Sequence, residues 1–375
     1  MGAMNFMDHT RSNFLHIALI LSIAGMITSC TLMRIVIYQY DDLRDYRKFP
    51  CRHLSSDSVK FTFQKIENGY VPAGFKSGNN EPVSFGDFLE SKETIAFLII
   101  RRDTIIYESY FDGYEETYLI PAYSMAKSFL SILTGCAIDD GLIQSVADPL
   151  TKYLPELKDN GLDEVKIEHL LQMTSGIKNN EDHKYYMGNL YYGRNAWKII
   201  SDLDLEKKPG TEFCYLNVNA ELLGFVLERA LNGKTVTQYM EEKIWQPLGM
   251  EYDASWSLDR KKNGMEKTFC CINACARDYA KIGRLFLEKG KWNGRQIVSG
   301  EWVEKSVRPD TTNGSVSYYH YMWWLPSPNG DYLAAGRKGQ FVYVNPSKNL
   351  IIVRLGKDFG DVEWHDLFIE LAANY

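Results

Sequence analysis

A serine and a lysine three residues apart are the first residues of this chain whose types and spacing could do chemistry together. Ser124 and Lys127 stand at the start of an apolar stretch of helical period, which would place both side chains on one helix face, one turn apart. At that separation the amine can take the proton of the hydroxyl and produce an oxygen nucleophile. The alternative is that Ser124 is an ordinary helix-capping serine.

The same spacing occurs at Ser175 and Lys178, so the pattern needs context. Residues 175–180 form a loop that contains Gly and Asn, where a nucleophile would be poorly positioned. Ser124 is instead followed by Phe129, Leu130 and other apolar residues, which predict a buried helix with a rigid start. We therefore favour Ser124 as the nucleophile.

Two further motifs could complete a site with this pair. A turn at residues 209–214 leads into Tyr215 and Asn217, whose side chains, two residues apart in an extended loop, point the same way. They offer a proton carrier together with an orienting amide. Residues 336–340, Gly-Arg-Lys-Gly-Gln, are a positively charged segment that leads into a predicted strand. The edge of that strand could donate a backbone N–H to an oxyanion. The alternative is a simple exposed hairpin turn.

The elements that must position these motifs follow from the hydrophobic periodicity. Strands are predicted at 94–100 and 104–110, and again near the C-terminus at 332–335, 340–344 and 350–355. Helices are predicted at 125–138, 167–172, 220–230, 236–245, 274–287 and 362–373. This order predicts an α/β (α+β) fold in which an antiparallel sheet, built from both chain ends and flanked by helices, receives an inserted helical subdomain.

The N-terminal segment differs from the rest of the chain. No Asp, Glu, Lys or Arg occurs between Arg11 and Arg34, and the apolar run is long enough to cross a membrane. Residues 27–30, Ile-Thr-Ser-Cys, have the form of a bacterial lipoprotein cleavage site, with Cys30 as the lipidated residue. An uncleaved transmembrane anchor is the main alternative, and with either of these two the protein would be exported and held at a membrane. A buried core helix is a third, weaker alternative.

These observations define the expected domain organisation. The regions are a signal or membrane anchor at 1–33, a linker at 34–57, a sheet subdomain at 58–125 and 290–375, and a helical subdomain at 126–289.

Composition excludes several function classes. The 375 residues are too many for a small binding module. The formal net charge is -6, and no segment gathers enough cations for a run of phosphates, so nucleic acid is not expected as a partner. The 7 cysteines show no zinc-site spacing, although Cys270, Cys271 and Cys275 could form a disulfide in an exported protein. No metal is indicated, and the oligomeric state is left open.

The three motifs in this order resemble those of the serine β-lactamase and penicillin-binding-protein superfamily. The Tyr-x-Asn form of the second motif resembles the class C β-lactamase branch. The likeness extends over connecting segments, namely 123–127, 169–176, 209–217, 246–250 and 276–285. Within that branch, which also contains serine esterases and D-alanyl-D-alanine carboxypeptidases, the chain is most similar to the 6-aminohexanoate-dimer hydrolase group. This finer likeness lies in residues 45–50, the Trp323-Trp324 pair and the Gly339-Gln340 ending.

The resemblance implies a serine hydrolase that needs no cofactor and cleaves an amide or ester in a small molecule or peptide. Ser124 would form the acyl-enzyme, with either Lys127 or Tyr215 as its base, and Tyr215 would then activate water. Asn217 would orient the substrate, and Gly339 would set the register of the third motif. The backbone N–H groups of Ser124 and Gln340 would hold the oxyanion.

The third motif departs from that family at one position. Arg337 stands where the family has Lys or His, and a guanidinium cannot exchange protons near neutral pH, though it can bind a substrate carboxylate in a fork. A second functional class also stays open. It is a membrane-held penicillin-binding-type protein that recognises cell-wall peptides or acylates slowly with little turnover, since a fold does not fix an activity. The motifs favour hydrolysis, because a protein that only binds needs neither Lys127 nor Tyr215.

Overall fold

The computed structural model describes residues 31–38, 41–66, 71–76 and 81–375. Cys30 and the apolar residues before it lie outside the described residues, so the lipidation site and the anchor stay predictions. Among the helices that are described, none combines the length and the apolar character that a membrane crossing requires.

Along the described chain most of the helices are grouped in the middle, and most of the strands lie toward the two ends. The strands are β1 (Cys51–Leu54), β2 (Gln64–Lys65), β3 (Thr94–Arg101), β4 (Thr104–Tyr110), β5 (Ile120–Pro121), β6 (Ala254–Ser257), β7 (Ile272–Ala274), β8 (Lys291–Trp292), β9 (Arg295–Gln296), β10 (Tyr319–His320), β11 (Trp323–Trp324), β12 (Tyr332–Gly336), β13 (Gln340–Asn345) and β14 (Leu350–Gly356). The helices are α1 (Thr31–Tyr38), α2 (Phe85–Ser91), α3 (Ala126–Asp139), α4 (Ile167–Leu171), α5 (Lys184–Tyr192), α6 (Ala196–Ser201), α7 (Asn217–Ala230), α8 (Val236–Met240), α9 (Ala276–Leu287), α10 (Gly300–Ser306) and α11 (Trp364–Ala373).

The main sheet joins the two chain ends, as the sequence predicts. Within the described residues its strand order is β10-β11-β12-β13-β14-β3-β4-β2. Neighbouring strands are antiparallel except that the short β2 runs parallel to β4. The predicted α+β architecture is thereby confirmed.

Both faces of the sheet are covered, which explains why β3 reads as a continuous apolar run. Leu98 and Ile100 pack on the face that carries α9 and the helical part of the chain. Phe97 and Ile99 point to the opposite face, against α2 and α11. The period-2 alternation of the strand therefore sends successive side chains into two separate cores.

Helix α3 runs through the centre of the molecule. Twelve of its fourteen residues are buried, and it contacts both α7 and β12. Because α3 is buried on almost every side, its start is held between the main sheet and the helical region. The predicted helix over 125–138 matches this element to within a residue.

The region interpreted as a linker, 34–57, contains ordered elements in the structure. Strand β1 pairs with β6, with Cys51 opposite Ser257, in a small sheet of order β1-β6-β7-β5 among the described residues. Helix α1 packs on α5, where Arg34 Nη1 donates to the Tyr192 carbonyl at 2.8 Å. Both contacts join residues more than 150 positions apart, which no local pattern predicts.

Candidate active site

Ser124 lies in a tight helical turn directly before α3. The turn covers Tyr123–Met125, and Tyr123 has a φ of 46°, a left-handed conformation that costs a bulky residue on the order of 1–3 kcal/mol. Its surroundings hold it there, because the Tyr123 side chain is buried and the preceding Ala122 N–H donates to the Ile272 carbonyl at 2.7 Å. The turn leaves Ser124 partly exposed, at the surface of a cavity.

Lys127 follows one helical turn later and is only 1% exposed. Its Nζ donates to Ser124 Oγ at 3.0 Å, to Asn217 Oδ1 at 2.8 Å and to the Phe269 carbonyl at 2.8 Å. These three acceptors match the three N–H bonds of a lysine side chain. The structure thus brings the predicted serine and lysine together, and adds the Phe269 carbonyl, for which the sequence carries no signal.

Asn217 is the first residue of α7, and Glu181 sets the orientation of its amide. Glu181 accepts from Asn217 Nδ2 at 2.7 Å and from the Val218 N–H at 2.9 Å. Since a carboxylate can only accept here, the amide nitrogen of Asn217 faces Glu181 and its oxygen faces Lys127. The negative charge also suits the start of a helix.

Tyr215 lies beside the same lysine. The Lys127 ammonium is 5.1 Å from the centre of the Tyr215 ring, within the range of a cation–π contact. The ring stacks on Trp324 with centroids 5.7 Å apart and meets the edge of Tyr319 at 5.8 Å. Burial raises the pKa of Tyr319 well above its ordinary value, so that neighbour stays neutral.

The third motif approaches the serine turn from the end of β12. At Gly336 an added Cβ would overlap the Ala122 carbonyl and come within 3.2 Å of the Met125 nitrogen, so only glycine allows this approach. Gln340 begins β13 opposite Gly336. Its side chain is bonded to Gly356, with Nε2 donating to the carbonyl at 2.7 Å, so only the backbone N–H of Gln340 is left for the oxyanion role that the sequence predicts.

A buried arginine supports the turn between β12 and β13. Arg354 donates from Nη1 to the carbonyls of Lys338 and Gly339, at 3.0 and 2.8 Å, and from Nη2 to that of Lys92 at 2.7 Å. Burial lowers the pKa of Arg354 to about 9. A Cβ at Gly339, where φ is 74°, would overlap this guanidinium, which explains the glycine there.

The site opens into a cavity of about 550 Å³. Among its lining residues are Ser124, Asn217, Tyr191 and Tyr192, the last two from α5. Arg337 lines it as well, and its Nη2 lies 3.1 Å from Asp41 Oδ1. The guanidinium that the sequence analysis assigned to a substrate carboxylate is therefore already paired with a carboxylate of the protein.

Adjacent cysteines form part of the same wall. Cys270 and Cys271 are joined by a disulfide. Cys270 lines the cavity together with Phe269, its neighbour in the chain. Cys275, which the sequence grouped with them, is a free buried thiol. In the described ranges, no three His, Cys, Asp or Glu side chains converge as a metal site would require.

Of the remaining residues that the sequence singled out, Ser175 and Trp323 lie away from the site and Trp324 contacts it. Ser175 is buried, and its Oγ accepts from the Ile177 N–H at 3.4 Å, a local loop contact. Trp323 is fully buried in the core, whereas its neighbour Trp324 packs on Tyr215. Sequence reasoning missed Glu181 and Asp41, since one lies in a polar loop and the other in a presumed linker.

Comparison with known proteins agrees with this geometry. The family model described as Beta-lactamase matches residues 87–372, and the chain belongs to this family. It is 29% identical over 307 residues to the 6-aminohexanoate-dimer hydrolase of Paenarthrobacter ureafaciens, covering 74% of this chain and 77% of that protein. The protein is a serine hydrolase of the β-lactamase-related family, as the sequence predicts.

Solved structures share the fold. A candidate 6-aminohexanoate-dimer hydrolase from Bacillus anthracis superposes with a TM-score of 0.75 at 22% identity, covering 87% of this chain and 91% of that one. A family VIII carboxylesterase superposes with a TM-score of 0.60 at 18% identity, over 77% of this chain and 94% of that one. Both support the α+β architecture described above.

Proposed function

We propose that the protein hydrolyses amide or ester bonds through an acyl-enzyme on Ser124. The observation that carries this proposal is the set of contacts around Lys127, whose Nζ lies 3.0 Å from Ser124 Oγ at the surface of the cavity. A protein that only binds its ligand needs no buried amine beside a serine hydroxyl.

The neighbours of Lys127 favour it as the base for acylation. Asn217 Oδ1, as oriented by Glu181, and the Phe269 carbonyl can only accept hydrogen bonds, whereas the serine hydroxyl can also donate. A neutral Lys127 amine has two N–H bonds and one lone pair. With both N–H bonds directed to the two obligate acceptors, the lone pair faces Ser124 Oγ and can receive its proton.

Tyr215 is then available for the second half of the reaction. Its ring lies against Lys127 and is held by Trp324, so its hydroxyl can carry a proton to the leaving group or from the attacking water. The backbone N–H groups of Ser124 and Gln340 are the proposed oxyanion donors. Close packing of Gly336 on the serine turn supports this assignment.

For the substrate we propose a short linear amide or ester. A cavity of about 550 Å³ lies in the range of small-molecule sites, roughly 300–1,000 Å³. The relative from Paenarthrobacter ureafaciens is named for hydrolysis of the 6-aminohexanoate dimer, an amide of this kind. We therefore place linear amides before cell-wall peptides among the substrates to test.

The test compares Ser124→Ala with Ser175→Ala in the purified protein. A serine-reactive phosphonate should label the parent and Ser175→Ala but not Ser124→Ala, and Lys127→Ala should also lose acylation. Turnover is measured on nitrophenyl esters, the 6-aminohexanoate dimer and a chromogenic β-lactam. Full labelling and esterase activity in Ser124→Ala would refute the proposal, and labelling of the parent without turnover would favour the penicillin-binding alternative.

We further propose that the protein is exported and held at a membrane through lipid on Cys30. The motif at 27–30 and the uncharged stretch before it support this. Mass spectrometry of the protein from membranes should find a mature N-terminus at a lipidated Cys30, and Cys30→Ala should block lipid attachment. A mature protein that begins at Met1 with unmodified Cys30 would favour the transmembrane alternative.

A further inference from the structure

The N-terminal segment contributes a carboxylate to the third motif. Asp41 and Arg337 form an ion pair, and both line the cavity that holds Ser124. The two side chains differ in exposure, since that of Asp41 is 12% exposed and that of Arg337 is 67% exposed. The pair therefore joins a largely buried anion to a cation at the cavity mouth.

The buried anion depends on this cation. Asp41 Oδ2 is enclosed and, within the part of the chain that the structure describes, has no hydrogen-bond partner. A carboxylate taken out of water needs a positive partner to remain charged. The nearby Lys48 is engaged elsewhere, by Asp42 at 3.2 Å and by Asp45, so Arg337 is the partner of Asp41.

We propose that Asp41 is a specificity-determining residue, which pairs with Arg337 and so weakens the binding of a substrate carboxylate at the third motif. The inference rests on the hydrolase activity proposed above. A free guanidinium offers a bidentate fork to a carboxylate. In this protein Nη2 of the Arg337 fork is taken by Asp41. A carboxylate that used the whole fork would displace Asp41 and leave it buried and unpaired, so substrates without a carboxylate at this end of the cavity are favoured.

Two esters that differ in one charge provide the test. The neutral substrate is 4-nitrophenyl valerate, and the anionic one is mono-4-nitrophenyl glutarate, which carries a carboxylate at the far end of a five-carbon acyl chain. For each variant the measured quantity is the anionic-to-neutral ratio of kcat/KM. Asp41→Asn should raise this ratio about fivefold, mainly through a lower KM for the glutarate ester. A change of this size corresponds to the strength of a partly exposed ion pair.

Matched variants separate pairing from general charge effects. Asp42→Asn removes the same charge one residue away, from a carboxylate that pairs with Lys48, and should leave the ratio unchanged. Adding Arg337→Gln to Asp41→Asn should abolish the gain. Arg337→Gln alone should lower the ratio by less than about twofold, because that guanidinium is already occupied.

Two results would overturn the inference. One is an unchanged ratio in a folded Asp41→Asn protein. The other is a loss of tenfold or more in the ratio of Arg337→Gln alone, which would mean that Arg337 binds carboxylates despite Asp41; this arm decides the question even if Asp41→Asn fails to fold. Failure of the parent to hydrolyse the neutral ester would refute the proposed function, and the inference with it.

Discussion

Replacing Glu181 by alanine tests whether the geometry around Lys127 depends on the orientation of one amide. Glu181 accepts from Asn217 Nδ2 at 2.7 Å and from the Val218 N–H at 2.9 Å. Without the carboxylate, the Asn217 amide can rotate and present its nitrogen to Lys127. The lysine amine would then lose one of the two acceptors that direct its lone pair toward Ser124.

The size of the effect of Glu181→Ala on the rate follows from the hydrogen bond between Glu181 and the Asn217 amide that is lost. A hydrogen bond to a charged group contributes about 1.5–3 kcal/mol, and each 1.36 kcal/mol corresponds to about a tenfold change in rate. Glu181→Ala should therefore lower kcat/KM by about 10- to 100-fold. The lost charge at the start of α7 adds a smaller stability cost of about 0.3–1 kcal/mol.

The assay pairs phosphonate labelling rates and ester kinetics with thermal unfolding. Glu181→Gln keeps an acceptor for the Asn217 amide and should recover most of the labelling rate that alanine loses. Asp182→Asn is the control, because this neighbouring carboxylate accepts from Asn179 at 3.2 Å and does not contact the site. If Glu181→Ala lowers Tm but labels within about twofold of the parent rate, Glu181 only caps the helix and the orientation argument fails.

Three other changes probe separate parts of the structure. Tyr215→Phe should slow ester turnover by about 10²- to 10⁴-fold in steady-state kinetics, and an unchanged kcat would remove Tyr215 from the mechanism. Gly336→Ala adds a methyl that overlaps the Ala122 carbonyl, so calorimetry should show a destabilisation of about 1–3 kcal/mol; an unaltered Tm would contradict the close approach. Burial alone would raise the pKa of Glu108, but hydrogen bonds from Arg277 and its neighbours outweigh this and lower it to about 2. A depressed carboxyl pKa stabilises the folded state above pH 4.5 and loses that contribution as pH falls toward 2, so Glu108→Gln should cost about 3 kcal/mol in urea unfolding at pH 7 and progressively less in acid. If Glu108→Gln cost the same stability at pH 7 and in acid, the depressed pKa of Glu108 would be refuted.

Local sequence was sufficient for much of the fold and for one pair of site residues. The strand pattern predicts β3, β4 and β12 to β14 to within a residue or two at their ends, because side-chain alternation and turn residues are short-range features. Ser124 and Lys127 are brought together by one turn of helical backbone, where the short turn at Tyr123–Met125 runs directly into α3. For the same reason the cationic turn after β12 can be identified from its own residues.

The other half of the site depends on contacts between distant segments. Lys127 meets Asn217 and the Phe269 carbonyl across 90 and 142 residues, and Asp41 reaches Arg337 from the opposite end of the chain. Strands as short as β5 and β6 carry too few residues for a period to be read. The sequence by itself determined the proximity of Ser124 and Lys127 and the strands of the sheet, because helix pitch and strand alternation are local. Only the tertiary structure decided which acceptors direct that lysine and which carboxylate occupies Arg337, because such pairings depend on how buried surfaces pack.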